Sequence, residues 1–222
     1  MTTKIRKSRA LPGQPKNGKR VANKEKTKKA ILQAALGLFA KKGFYRTTTK
    51  AISQRAGIAE GTLFNYFRTK EDLALYFFEQ ELDGLEEWFG HDARLKAAPL
   101  AERLFAIVHH HLERISPYED FIGAVYLRAL RPTSKLSPLS LSSQAHNLRY
   151  LRFVRELLEG AEAEGEIPTV GDFGAYAFGL FHLAMITHWL QDRSPGKEDT
   201  LALLDRCLKV ATSFLRKGGW EW

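Results

Sequence analysis

The side chains best suited to specific recognition lie between Thr47 and Lys70, in the stretch TTTKAISQRAGIAEGTLFNYFRTK. Asn65 carries an amide that can pair bidentately with adenine or contact a phosphate. Thr62 can donate to phosphate or touch a thymine methyl. Gly61 has no side chain, so a helix bearing it can approach a nucleic-acid backbone closely. Glu60 favours a helix N-terminus but would repel phosphate, so it either accepts from a cytosine amino group or points to solvent, the latter being preferred.

Two short helices must position these groups. Thr47 and Thr48 offer hydroxyls for an N-cap, and Ile52 and Ala56 follow on one face. Gly57 breaks the helix where a left-handed backbone is needed, and Ile58 plugs the corner. A second helix starts near Ala59, with Leu63 and Phe67 inward and Thr62, Phe64, Asn65 and Tyr66 outward. Two turns, a tight corner and two more turns make a helix-turn-helix over about residues 48–67, whose second helix enters the major groove. Upstream, a helix from Lys24 to Lys42 carries Ile31, Leu32, Ala35, Leu38 and Phe39 inward, while Lys24 and Lys28 can face a phosphate backbone.

Other clusters carry less. His109-His110-His111 invites a metal reading, but consecutive helical residues point about 100° apart and cannot converge on one ion. His182 and His188 read as core histidines. There is no nucleophile elbow, phosphate-cradling glycine loop or HExxH, so neither a metal nor a catalytic site is assigned and no cofactor is expected. Cys207 is the only cysteine of 222 residues; it excludes an internal disulfide framework and fits a reducing cytosol, as a small buried hydrophobe. Residues 173–190 lack Asp, Glu, Lys and Arg, yet His182, Thr187 and His188 with several glycines favour a buried helix over a membrane span.

Charge is concentrated at the start. Residues 1–29 hold eleven Lys and Arg against Glu25 alone, a charge of +10, while the whole chain carries +9, leaving −1 for the remainder. Residues 1–23 read as a disordered basic arm, either drawn to phosphate or merely solubilising.

The order Ile31-Leu32, Ala35, Leu38-Phe39, Lys42-Gly43-Phe44, Thr47-Thr48, Ile52, Ala56-Gly57-Ile58, Gly61 through Phe67, Lys70-Glu71 and Leu73 resembles the N-terminal domain of the TetR (tetracycline-repressor-like) family of bacterial transcription regulators, over roughly residues 25–85. The resemblance implies a cytoplasmic, non-enzymatic, ligand-responsive repressor that binds a palindromic double-stranded DNA operator as a homodimer. It also implies that Lys70 binds phosphate. Where the family commonly has tyrosine this chain has Phe64, so any contact there is apolar. The DNA-contact set is Lys24, Lys28, Thr47, Thr48, Lys50, Gly61, Thr62, Phe64, Asn65, Tyr66 and Lys70.

The expected fold is all-α, with about nine helices: a DNA-binding domain over residues 24–85 and an effector-binding and dimerisation domain over residues 86–222. A helix over residues 70–90 links the two. Further helices are expected at 100–115, 118–130, 143–165, 171–191 and 197–217, with a Ser- and Pro-rich loop at 131–143. Aromatics crowd the second half. Most are core, but Phe121, Val125, Leu148, Phe153, Phe178, His182 and Met185 are candidates to line a cavity for a small hydrophobic or aromatic effector, such as an acyl compound or a drug. Leu201, Leu204, Leu208, Ala211 and Leu215 repeat at three and four, a pattern equally suited to a subunit seam or an intrachain core. The resemblance favours the seam, because such proteins dimerise through their last two long helices. Two rival functions remain: a helical interaction protein that no longer reads DNA, and a small helical enzyme.

Overall fold

The computed structural model describes residues 16–129, 131–137 and 140–216, and within these every regular element is helical. In order they are α1 (Lys16–Lys42), α2 (Thr49–Arg55), α3 (Glu60–Tyr66), α4 (Lys70–His91), α5 (Ala93–Lys96), α6 (Leu100–Ile115), α7 (Glu119–Ala129), α8 (Leu141–Ala163), α9 (Gly171–Gln191) and α10 (Glu198–Arg216), with 3-10 turns at Ser116–Tyr118 and Pro195–Lys197. The all-α expectation holds. The single-turn α5 stands in the expected connection, capped by Asp92, which accepts from the Leu95 amide at 2.8 Å.

The described part of α1 begins at Lys16, eight residues before the expected start. Lys, Arg, Asn and Ala there carry no strong helix breaker except Gly18, and lysine and alanine favour the helix even without an apolar face. The disorder expected for residues 16–23 is therefore corrected to helix. The rest of the expected arm, residues 1–15, lies outside the described residues.

The small N-terminal core is built from three directions. Ile31, Ala35 and Phe39 of α1 meet Ile52 of α2 and Leu63 of α3, all almost fully buried. Thr48 caps α2 by accepting from the Ala51 amide at 3.1 Å. Gly57 takes a φ of +68°, which lets the chain turn between α2 and α3 without strain.

Helix α4 is shared between the two halves, and the expected boundary after residue 85 falls inside it. Thr69 and Asp72 form a reciprocal capping box at its start. Its buried residues, Leu73, Ala74, Tyr76, Phe77, Leu82, Leu85 and Phe89, cover more than one face. Helices α1, α6 and α8 all pack on it. An aromatic knot joins the halves: Phe121 of α7 stacks on Phe39 at 4.9 Å, meets Phe77 edge-on at 5.3 Å and touches Phe44 at 5.8 Å. Such pairs contribute about 1 kcal/mol each beyond their burial.

In the second half α8 packs on α9 and α6 on α10. Asp192 fixes the α9–α10 corner, accepting from the Ser194 and Thr200 amides and from both hydroxyls at 2.6–2.8 Å. Those four donors hold its carboxyl well below the usual carboxylate range. No helix among the described residues is long and apolar enough to cross a membrane.

Candidate nucleic-acid interface and effector cleft

Helix α3 turns Leu63 inward, and Phe67 just beyond it is likewise buried, which leaves Gly61, Phe64 and Asn65 exposed and Thr62 and Tyr66 half-buried. A Cβ at Gly61 would meet nothing within 4 Å among the described residues, so no packing among them requires glycine there. Open space above a glycine on an exposed helix face is what a close outside backbone would use. Thr48 and Lys50 are exposed beside it, as is Lys24 on α1.

Three members of the expected contact set are engaged elsewhere. The Lys70 ammonium donates to the carbonyls of Phe44 and Thr47 at 2.7 and 2.9 Å and lies over the Phe44 ring at 4.7 Å. Burial, aided by Arg128, lowers its pKa. Lys70 therefore ties the start of α4 to the turn before α2. Thr47 is buried and donates to the Gly43 carbonyl at 2.8 Å, closing the end of α1. Lys28 pairs with Glu25 at 3.0 Å over the Tyr76 ring. Glu60, expected to point to solvent, instead accepts from Thr49 Oγ1 at 2.7 Å and so staples α3 to α2. Sequence reasoning passed over Arg68, exposed just beyond α3; its charge directly after the recognition helix was the available signal.

Six of the seven expected cavity residues are buried, in separate surroundings. Phe121 sits in the aromatic knot, not in the second-half interior. Leu148 is 53% exposed and lines no interior, a correction that follows from its place on the outer side of α8. Val125, Phe178 and Met185 are packed core. His182 stands in a buried polar chain: Tyr150 Oη lies 2.5 Å from its Nδ1, and its Nε2 lies 3.0 Å from His111 Nδ1. Burial raises the Tyr150 pKa, so the phenol keeps its proton and donates. His182 then carries its proton on Nε2 and donates to His111. Burial, then the neighbouring His146, lowers His111 to about 4, so this chain is neutral at physiological pH. No group of three potential metal ligands occurs among the described residues.

Phe153 alone of the seven lines an open cleft of about 650 Å³ between α4, α6 and α8. Its apolar floor is Phe89, Phe153 and Leu157. Around it stand Lys96, Arg103, Arg149 and Arg152, against Glu86 and Glu156. Arg103 is 4% exposed; its Nη2 pairs with Glu164 and Glu166, while its Nε is buried without a partner. These cations were missed because a lone arginine inside an apolar helical stripe gives no sequence signal of a site.

The seam expected on α10 is also revised. Leu204 and Leu208 are buried within the chain, on the side of α10 that packs on α6. The exposed apolar face is offset from them: Val210 and Phe214 on α10, with Phe173, Tyr176, Leu180 and Leu183 on α9. Ala211 is exposed, and Leu201 and Leu215 are half-buried. The spacing of three, four and three along α9 was legible, but the helix is apolar all round and hid it.

Residues 31–77 match the model of the family described as bacterial regulatory proteins, tetR family. The fatty acid metabolism regulator protein of Bacillus subtilis is 28% identical over 188 residues, which cover 82% of this chain and 92% of that protein. The chain carries a TetR-family N-terminal domain. The chain is a DNA-binding transcriptional regulator of this kind. Among solved structures it is similar to Thermus thermophilus FadR, a TetR-family transcriptional repressor in complex with lauroyl-CoA, with a TM-score of 0.62 and 25% identity over 82% of this chain and 93% of that one. A TetR regulator from Nitrosomonas europaea shares the fold, with a TM-score of 0.64 and 19% identity over 84% of this chain and 98% of that one. The family match spans α1 to the first part of α4, the region in which Gly61, Thr62 and Asn65 face outward.

Proposed function

We propose that this regulator binds a palindromic operator as a homodimer and releases it on binding a long-chain acyl thioester such as an acyl-CoA. The observation that carries the effector class is the cleft: a ring of cations around an apolar floor fits a molecule with an anionic head and an apolar tail. The relative named for fatty acid metabolism and the solved repressor holding lauroyl-CoA support the same chemistry. The dimer is the pairing of the exposed α9 and α10 faces about a two-fold axis, in the cytoplasm where operators lie. Thr48, Lys50, Gly61, Thr62, Phe64, Asn65 and Tyr66 form the DNA-facing surface, with Lys24 and Arg68 at its margin. The +10 charge of residues 1–29 adds phosphate attraction.

The effector must favour the arrangement that DNA does not, and DNA must weaken effector binding by the same factor. Lauroyl-CoA titrated into a complex of the protein with a duplex it selects is expected to lower DNA affinity by about tenfold or more, a typical coupling. Fluorescence anisotropy of the labelled duplex reads this directly. Unchanged affinity at saturating lauroyl-CoA would rule out acyl-CoA as the effector.

A further inference from the structure

Helix α4 is an acidic helix held by cations from its neighbours. Glu71 receives Arg128 of α7, and Asp72 receives Lys135 at 2.7 Å. Glu81 receives Arg114 of α6 at 2.8 Å. Asp83 and Glu86 share Arg149 of α8, whose Nη1 lies 2.6 Å from Asp83 and whose Nε and Nη2 hold Glu86 at 3.1 and 2.5 Å. Only Arg149 of these four cations also lines the cleft, and Glu86 lines it too. One guanidinium thus serves both the cleft and the helix that reaches the DNA-binding half.

We infer that Arg149 is an electrostatic latch on α4, and that the anionic head of the effector opens it by taking Arg149 from Asp83 and Glu86. The inference rests on the effector reading above. A guanidinium has five donors in one plane, and three of them are already committed to α4. A phosphate or carboxylate in the cleft competes for the same fork. Once it wins, Asp83 and Glu86 face an anion without their cation, so the second half of α4 is pushed from α8. The neighbouring Arg103 lines the same cleft and adds its charge to the attraction for the incoming anion. The other end of α4 is fastened by Lys70 to the carbonyls of Phe44 and Thr47, so displacement of α4 is carried to α2 and α3.

The two sides of the latch can be removed separately. The pair Asp83→Asn with Glu86→Gln frees Arg149, whereas Arg149→Met removes the shared cation. Isothermal titration of the full chain with lauroyl-CoA is expected to show about tenfold tighter binding to the first variant and about tenfold weaker binding to the second. Both should bind the selected duplex more weakly than wild type in the absence of lauroyl-CoA. Arg149→Lys, which keeps the charge and loses the fork, should fall between wild type and Arg149→Met, and thermal melts show that each variant folds. Equal affinities across the variants, or weaker binding to both sides, would overturn the latch and leave the effector reading standing. Failure of wild type to bind lauroyl-CoA at all would overturn both.

Discussion

Leu180→Glu is expected to turn the proposed dimer into monomers and to abolish operator binding at concentrations where wild type is saturated. Leu180 is 70% exposed in the single chain, near the middle of α9, with the exposed Tyr176 and Leu183 four and three residues away along the helix. In a two-fold interface each substitution occurs twice, so two carboxylates are buried against apolar surface together. Burying a charge without a partner costs several kcal/mol, so about 4 kcal/mol for the pair is a modest figure. That is close to a thousandfold in the dimerisation constant. Each monomer retains its fold, because in the single chain this side chain already faces outward. Sedimentation velocity reads the oligomeric state and circular dichroism the helix content. A Leu180→Glu protein that remains dimeric at micromolar concentration would remove the α9–α10 face from the account.

The second large effect lies on α3 and has opposite signs in two assays. Gly61→Ala places a methyl where none of the described residues stands within 4 Å. Glycine in a helix is less stable than alanine by roughly 0.5–1 kcal/mol, so the substitution is expected to raise the melting temperature. The same methyl meets the nucleic-acid backbone on the proposed face, so operator affinity is expected to fall. Asn65→Ala removes a bidentate or phosphate contact worth about 2 kcal/mol per half-site. Over two half-sites this approaches a thousandfold loss, with stability unchanged because Asn65 is exposed. Mobility shift with the selected duplex and a thermal melt give both readings. Full DNA affinity in Asn65→Ala together with Gly61→Ala would show that α3 does not enter the groove.

What was legible in the sequence followed the range of the interaction that decided it. The helix-turn-helix was readable because its signals are local: a cap at Thr48, a glycine at 57, and apolar residues four apart at Leu63 and Phe67. The partners of Lys70 and Thr47 were not legible because they are main-chain carbonyls: those of Lys70 lie more than twenty residues upstream, and Thr47 turns back on Gly43. A charged residue at a phosphate-like position does not announce that its donors are already used. The α10 seam failed for a related reason. A three-four repeat marks a packed face, and α10 has two such faces, one at Leu204 and Leu208 against α6 and one at Val210 and Phe214 outward. Periodicity cannot say which partner each face meets. The cavity list failed because core and cavity draw on the same residue types. The cleft is marked instead by arginines on α6 and α8, brought together only by the packing of both helices on α4. The ion pairs along α4 join residues 33 to 66 positions apart, beyond the reach of any pattern in the chain.

The central claim is that two copies of α3 read one sequence in successive major grooves. Selection of bound fragments from a pool of random duplexes at physiological salt, followed by sequencing, tests it most directly. The account predicts an enriched palindrome whose half-sites are separated by one helical turn or a simple multiple of it, and whose enrichment is lost with Asn65→Ala. Binding that is salt-sensitive but blind to sequence would contradict it, because the basic segment alone would then account for the attraction to DNA.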